Sequence, residues 1–196
     1  ISGAEFSMRG KDGILIESHT PMHGGFNLDN LLLAVAIAYE CGIDPLEMAA
    51  LIPSLTGAPG RLEGVTLGQD FKAFVDYAHS PDAVINVLAA VREFTPGKVI
   101  AVLGCGGDRD ASKRPLMGAA LIEGSDIAIF TSDNPRSEEP SQILKDMVGD
   151  SVLTRPSQVI EDRASAIAYA VEIAKPGDSV VVLGKGHESG QEIKGI

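Results

Sequence analysis

The sequence predicts an α/β fold built on a mostly parallel sheet, and two patterns in its second half carry this prediction. Short apolar runs recur as FKAFVDY, KVIAVLG, DIAIFTS, SQVIE and SVVVLG. Helical stretches separate them, namely PDAVINVLAAVREF, RPLMGAALIEG, SQILKDMVGD and RASAIAYAVEIA. Alternation of helices with nearly continuous apolar strands is typical of a parallel sheet that helices cover on both faces.

The first part of the chain has a different pattern. Residues 3–18 alternate loosely around GKDG, which predicts two short strands joined by a turn. The segment NLDNLLLAVAIAYECG is apolar on most faces, so we expect a well-buried helix that Gly42 ends. A second helix begins at DPLEM, with Asp44 as N-cap and Glu47 three residues later. The Gly- and Pro-rich TGAPGRLEGV follows, and it predicts a domain boundary near Glu63.

Composition narrows the class of protein. The 196 residues are 44% hydrophobic, enough for one large domain or one domain plus part of another. The net charge of -11 argues against nucleic acid as the main partner, although a local arginine cluster could still hold an anionic ligand. Cys41 and Cys105 are the only cysteines, which indicates a reducing, cytosolic compartment. No apolar run reaches spanning length, so we expect no membrane insertion.

Polar clusters follow four of the predicted strands, as DYAHSPD, GCGGDRD, TSDNPRSEEP and GKGHESG. Parallel sheets bind ligands in the crevice outside the carboxyl ends of their strands, so a binding site is expected there. Each glycine loop alone could equally be a tight turn. Neither completes the dinucleotide fingerprint, because Arg109 and Ser189 stand at the third glycine position, and this disfavours a nucleotide-dependent oxidoreductase.

The segment VDYAHSPDA allows two interpretations. Asp76 could bind a ribose or a magnesium-bound water, and His79 could contact a phosphate or a metal. Alternatively, SPD caps a helix and His79 is solvated, and the segment alone fits this second interpretation slightly better.

Arg136 is the most informative single residue. It follows Pro135, which restricts the backbone directly before it, and an ordered arginine at a crevice indicates a carboxylate or phosphate clamp. Asp133 and Glu188 could accept an amine. Groups for a carboxylate and an amine on adjacent strand ends suit an amino-acid substrate.

Other charged residues have a simpler interpretation. Arg61 lies in a loop and is expected to face solvent, and Glu138 and Glu139 are expected to be solvated before a helix. A surface cluster is expected for Asp108, Arg109, Asp110, Lys113 and Arg114.

Six segments, taken in order, resemble the Mur ligases: HGGFNLDNLLLAVA, PGRLEGV, VDYAHSPDA, LGCGGDRDASKRPLMG, DNPRSEEP and GKGHE. The resemblance covers nearly the whole chain, and DNPR is similar to the branch that adds meso-diaminopimelate. Mur ligases have a UDP-binding domain, a central ATP-binding domain with a P-loop, and a Rossmann-like last domain. The resemblance implies that residues 1–63 are the tail of the central α/β ATPase domain. It implies that residues 64–196 are the C-terminal glutamate ligase domain, truncated at its end.

The activity that the resemblance implies is an ATP-dependent amide-bond ligase of peptidoglycan precursor synthesis in the cytoplasm. ATP and Mg²⁺ would activate the carboxylate of UDP-MurNAc-L-Ala-D-Glu as an acyl phosphate, which the amine of meso-diaminopimelate then attacks. The chain contains no G-x-x-x-x-G-K-[ST] loop, so it is expected to be inactive alone. The alternative is a stand-alone amino-acid-binding module without catalysis.

The resemblance also implies roles for single residues. The positions that match nucleotide-binding residues of the family are Asn30, Arg61, Asp76 and His79. The positions that match its diaminopimelate-binding residues are Arg109, Asn134, Arg136, Gly184 and Glu188. No catalytic residue and no metal ligand is assigned in this chain.

Overall fold

The chain folds into two compact units, Ile1–Ala58 and Pro59–Ile196, and the computed structural model describes residues 3–195. The second unit begins before the boundary that the sequence places near Glu63. The reason is local, because Glu63–Gly64 pairs as an edge strand with the sheet of the second unit. Within the described residues, none of the helices has both the length and the apolar character to cross a membrane.

The first unit contains the predicted hairpin and two helices. Its elements are β1 (Ala4–Arg9), β2 (Leu15–Thr20), α1 (Gly25–Glu40), α2 (Pro45–Leu51) and a 3-10 turn at Ile52–Ser54. The strands β1 and β2 are antiparallel, as a hairpin requires. The Asp44 carboxylate accepts hydrogen bonds from the backbone N–H groups of Leu46 and Glu47, which confirms the predicted cap.

The prediction that α1 is well buried is wrong. Only Leu31 and Val35 of this helix are buried, whereas Leu33 is 62% exposed and Ile37 is 57% exposed. The apolar face around Leu31 packs in a small core with residues of β2, α2 and the 3-10 turn. The helix α1 carries apolar side chains on most of its faces, but the residues packed against it in this core cover only one face.

The second unit is a six-stranded sheet. Its strands are β3 (Glu63–Gly64), β4 (Lys72–Val75), β5 (Val99–Leu103), β6 (Ile127–Phe130), β7 (Gln158–Val159) and β8 (Ser179–Val182). The spatial order is β3-β4-β8-β5-β6-β7, and only β3 runs antiparallel to its neighbour. The predicted mostly parallel sheet is therefore confirmed, with β8 at its centre.

Helices cover both faces of this sheet. They are α3 (Pro81–Glu93), α4 (Lys113–Gly124), α5 (Pro140–Val148) and α6 (Arg163–Ile173). The sheet residues in the core cluster with α6 are Ile100, Val102, Ile127, Ile129 and Val180. Side chains alternate along a strand, so the intervening residues of β5 and β6 face the other way, where α3, α4 and α5 contact these strands. Every residue of β5 and β6 is buried, as the apolar runs predict.

One glycine lets two of these helices approach closely. A Cβ atom on Gly118, in α4, would lie 1.8 Å from the backbone oxygen of Met147 in α5. The packing of α4 against α5 therefore depends on the absence of a side chain at this position.

Candidate functional site

The loops after β4, β5, β6 and β8 enclose a cavity of about 430 Å³ at the carboxyl ends of these strands. It contains the site that the fold predicts. Its charged and polar lining includes all five residues assigned to diaminopimelate, which are Arg109, Asn134, Arg136, Gly184 and Glu188. His79 also lines this cavity, together with Tyr77.

The residues assigned to the nucleotide belong to both units of the chain. Asn30 is an exposed residue of α1 in the first unit. Within the second unit, Arg61 is exposed, and its guanidinium carbon stands 5.1 Å from the centre of the Tyr77 ring. His79 is exposed, and its Nδ1 lies 2.9 Å from the backbone oxygen of Tyr77. Tyr77 therefore contacts both Arg61 and His79.

Asp76 has a structural role that the sequence did not indicate. It is buried, and its two carboxylate oxygens accept hydrogen bonds of 2.7 Å from the backbone N–H groups of Leu62 and Ala78. Burial raises the pKa of this carboxyl, while the two backbone donors and the Arg61 charge oppose the rise. Leu62 has a φ of 47°, so Asp76 holds a residue in the left-handed region that a leucine rarely adopts.

Arg136 is held on both its backbone and its side chain. Its Nε donates to a carboxylate oxygen of Glu192 at 3.0 Å, and its Nη1 donates to the backbone oxygen of Gly107 at 2.8 Å. Its backbone N–H donates to the backbone oxygen of Glu192, and its carbonyl oxygen accepts from the backbone N–H of Lys194. Arg136 has a φ of 52°, and these partners hold its conformation in addition to the restriction from Pro135.

Glu188 is held by three side chains. One oxygen accepts from Lys185 Nζ and from Asn134 Nδ2, both at 2.9 Å, and the other accepts from the Tyr77 hydroxyl at 3.2 Å. The hydrogen bond from Lys185 is the main reason that the pKa of Glu188 lies below its ordinary value. Glu188 is therefore an ionised, oriented acceptor at the cavity wall.

Lys185 was not among the predicted site residues. This buried lysine donates to the Asn134 side-chain oxygen at 2.7 Å and to Glu188, and so links the loops after β6 and β8. The available signal was the lysine of GKGHE, three residues before an acid at a strand end.

Two further charges lie beneath this cluster. Burial raises the pKa of the Asp133 carboxyl, and the nearby Lys185 and Arg163 charges oppose that rise. Arg163 is 8% exposed, and its Nη2 donates to the backbone oxygen of Leu183. Gly184 has a φ of 101°, and a Cβ there would lie 2.8 Å from an Asp133 oxygen. A glycine is thus required at residue 184, where the loop after β8 passes the Asp133 side chain.

The expected surface cluster is wrong for Arg114, and Glu138 is more than a solvated acid. Arg114 is only 3% exposed. Its Nη2 lies 2.7 and 2.8 Å from the two Glu138 oxygens, and its Nη1 lies 2.9 Å from Asp146. Glu138 also accepts from the backbone N–H of Asp108. These contacts join the loop after β5 to α4 and α5, and so support one wall of the cavity.

This network predicts how stability depends on pH. Its hydrogen bonds to Arg114 lower the pKa of Glu138 from the ordinary value of 4.5. As the pH decreases below about this value, the unfolded chain binds more protons at Glu138 than the folded chain does. The free energy of unfolding therefore decreases until the pH is below the lowered folded pKa. We expect Glu138→Gln to flatten this acid-side fall, measured as urea midpoints from about pH 7 to about pH 3.

Glu139→Gln is the matched control, because Glu139 is exposed and lies 4.0 Å from Lys194. Its pH profile should follow that of the unmodified protein. An unchanged slope in Glu138→Gln would mean that Arg114 does not stabilise the ionised Glu138 in solution.

The second unit is thus an α/β domain with a cavity that residues of both charges line. Residues 60–186 match the family model described as Mur ligase, glutamate ligase domain. A UDP-N-acetylmuramoyl-L-alanyl-D-glutamate--2,6-diaminopimelate ligase from Streptomyces coelicolor is 50% identical over 97% of this chain and 39% of its own length. The like-named protein of Synechocystis is 48% identical over 88% of the chain and 34% of its own length. The chain therefore belongs to the Mur ligase family.

Solved structures agree with this assignment. A structure of UDP-N-acetylmuramoyl-L-alanyl-D-glutamate--2,6-diaminopimelate ligase, 41% identical, matches all of this chain and 40% of its own with a TM-score of 0.70. A Mycobacterium tuberculosis folylpolyglutamate synthase matches 94% of the chain and 43% of its own with a TM-score of 0.72. At 22% identity the latter likeness concerns the fold alone. The chain spans about two-fifths of the length of these relatives.

Proposed function

We propose that this chain is part of an ATP-dependent ligase that joins meso-diaminopimelate to UDP-MurNAc-L-Ala-D-Glu through an acyl phosphate in cytoplasmic peptidoglycan precursor synthesis. The observation that supports the proposal is that the guanidinium of Arg136 and the carboxylate of Glu188 line the same cavity. The relatives with this ligase name match the chain over nearly its whole length.

The amino acid is expected to bind by its distal end. Arg136 would hold the distal carboxylate, with Asn134 and Arg109 close by, since all three line the cavity. Glu188 and the Gly184 carbonyl would accept the distal ammonium. Asn134 donates to Glu188 and accepts from Lys185, so these hydrogen bonds orient the acceptor for the amine.

The nucleotide is assigned to Arg61, Asp76 and His79, together with Asn30 of the first unit. The exposed Arg61 guanidinium beside Tyr77 suits a phosphate, and His79 lies at the adjacent cavity wall. Residues 1–63 would then be the tail of the ATP-binding domain. We propose Mg²⁺ as a cofactor of the complete ligase and assign it no ligand in this chain. Among residues 3–195 there is no group of three His, Cys, Asp or Glu that could hold a metal ion.

A stand-alone amino-acid-binding module is the second candidate. The observation in its favour is that every residue lining the cavity belongs to the second unit. Calorimetry of this chain with meso-diaminopimelate and with ATP tests binding directly, and assays of the complete ligase test catalysis. ATP-dependent amide formation by the complete protein would exclude the module, whereas diaminopimelate binding without any such product would favour it.

The nucleotide assignment has its own test in the complete ligase. We expect Arg61→Ala to raise KM for ATP about tenfold, the loss of one charged hydrogen bond, and to leave KM for diaminopimelate near its original value. Arg155→Ala is the control, because Arg155 is also an exposed loop arginine but does not line the cavity. An unchanged KM and kcat for ATP in Arg61→Ala would remove Arg61 from the nucleotide site.

A further inference from the structure

A short segment after β8, residues 191–194, runs beside the loop that carries Arg136; we call it the C-terminal strap. Arg136 and Ile193 form a parallel β-bridge. The Glu192 N–H donates to the Asn134 side-chain oxygen, and the Gln191 side chain donates to the backbone oxygen of Asp133 at 2.6 Å. The strap thus holds the loop after β6 through main-chain groups as well as side chains.

The Glu192 side chain makes one further contact, to Arg136. Its carboxylate accepts from Nε at 3.0 Å, and Gly107 accepts from Nη1 at 2.8 Å. A guanidinium has five N–H donors in one plane, so two partners at different nitrogens fix both its position and its rotation. The remaining donors, on Nη1 and Nη2, are then presented together.

Glu192 contacts Arg136 from outside the cavity. Arg136 is one of the lining residues, and among the described residues Glu192 is not. Its side chain is 50% exposed, while that of Arg136 is 21% exposed. A ligand carboxylate in the cavity would therefore meet the free donors of Arg136 without displacing Glu192. Glu192 orients the arginine and does not occupy the ligand's place.

We propose that Glu192 is a positioning residue that acts through Arg136 to set the preference for an amino acid with a second carboxylate. This inference rests on the proposed function, because it assigns the distal carboxylate of diaminopimelate to Arg136. Without Glu192 the arginine keeps its charge but loses the partner that fixes its plane, so a two-pronged contact becomes less populated. Lysine has no distal carboxylate, so its reaction does not depend on that contact.

The test compares kcat/KM for meso-diaminopimelate and for lysine in the complete ligase. Glu192→Ala should lower the diaminopimelate value about tenfold, the loss of roughly one hydrogen bond, mainly through KM, and leave the lysine value unchanged. Glu192→Gln should restore most of the loss, because the amide oxygen can still accept from Nε. In an Arg136→Ala background, Glu192→Ala should have no further effect.

Glu139→Ala is the matched control, since Glu139 is an exposed glutamate near the same strap and pairs only loosely with Lys194. It should leave kcat/KM unchanged for both amino acids. Equal losses for both substrates in Glu192→Ala would make Glu192 merely structural, and tighter diaminopimelate binding would make it a competitor; either result overturns the inference. If the wild-type ligase forms no product with diaminopimelate, the proposed function fails, and this inference fails with it.

Discussion

Arg136→Ala is expected to lower kcat/KM for meso-diaminopimelate by about a hundredfold to a thousandfold in the complete ligase. A charged hydrogen bond contributes about 1.5–3 kcal/mol net, and a planar guanidinium can make two of them to one carboxylate. The poor reaction with lysine should change little, because lysine has no distal carboxylate to meet the remaining donors of Arg136. The measurement is the ratio of the two kcat/KM values before and after substitution.

Arg136→Lys serves as the companion variant and should not restore activity, because a single ammonium cannot reproduce the planar contact. The result that counts against a specificity role is an equal loss with both amino acids. That outcome is physically possible, because Arg136 also donates to the Gly107 backbone and so joins the loops after β5 and β6. The substrate ratio separates these two roles, whereas total activity does not.

Gly118→Ala is expected to destabilise the second unit by about 3 kcal/mol or more. The new Cβ would lie 1.8 Å from the backbone oxygen of Met147, and the backbone fixes the position of a Cβ, so no side-chain rotation relieves the contact. The helices α4 and α5 must separate, which loosens the Arg114 contacts with Glu138 and Asp146 that join them. Urea unfolding, followed by far-ultraviolet circular dichroism, measures the change.

The control for this substitution is Gly190→Ala. A Cβ on Gly190 has no atom within 4 Å, so its effect should stay within about 0.5 kcal/mol. Similar unfolding midpoints for the two variants would mean that α4 and α5 adjust at little cost, and that their approach at Gly118 is not required for stability.

The local sequence pattern was sufficient to predict most helices and strands and the edge of the sheet at which the cavity lies. Apolar runs such as KVIAVLG identify strands by themselves, because a strand covered on both faces has no polar side to interrupt it. The carboxyl ends of parallel strands share one edge, so the four polar clusters had to meet there. The cavity brings together the five residues assigned to diaminopimelate, while their ligand stays a prediction.

Partners that are distant in sequence were not predictable in this way. Glu192 lies 56 residues after Arg136, and Glu138 lies 24 residues after Arg114. Nothing in the intervening sequence specifies that these pairs meet, since the tertiary packing of loops and helices decides it. The same holds for Lys185, whose hydrogen bond to Asn134 spans 51 residues.

The local sequence pattern also could not predict how much of α1 is buried. The period of α1 identified a helix, but Leu33 and Ile37 are exposed because burial depends on which other segments pack against each face. The second unit begins at Pro59, before the boundary predicted near Glu63, for a similar reason. Residues Glu63–Gly64 look like part of a flexible connection, yet they add a short strand to the edge of the sheet.

The central position of β8 has a consequence for how the protein is made. Strands β4 and β5 lie on opposite sides of β8 and pair with it, not with each other. A ribosome releases β8 last of the six, so the two parts of the sheet stay unjoined until Ser179–Val182 has emerged. The newly made second unit therefore cannot complete its sheet, or its cavity, before β8 is available to pair. Until then the edges of β4 and β5 are open to wrong pairing, which makes this stage the one most prone to aggregation.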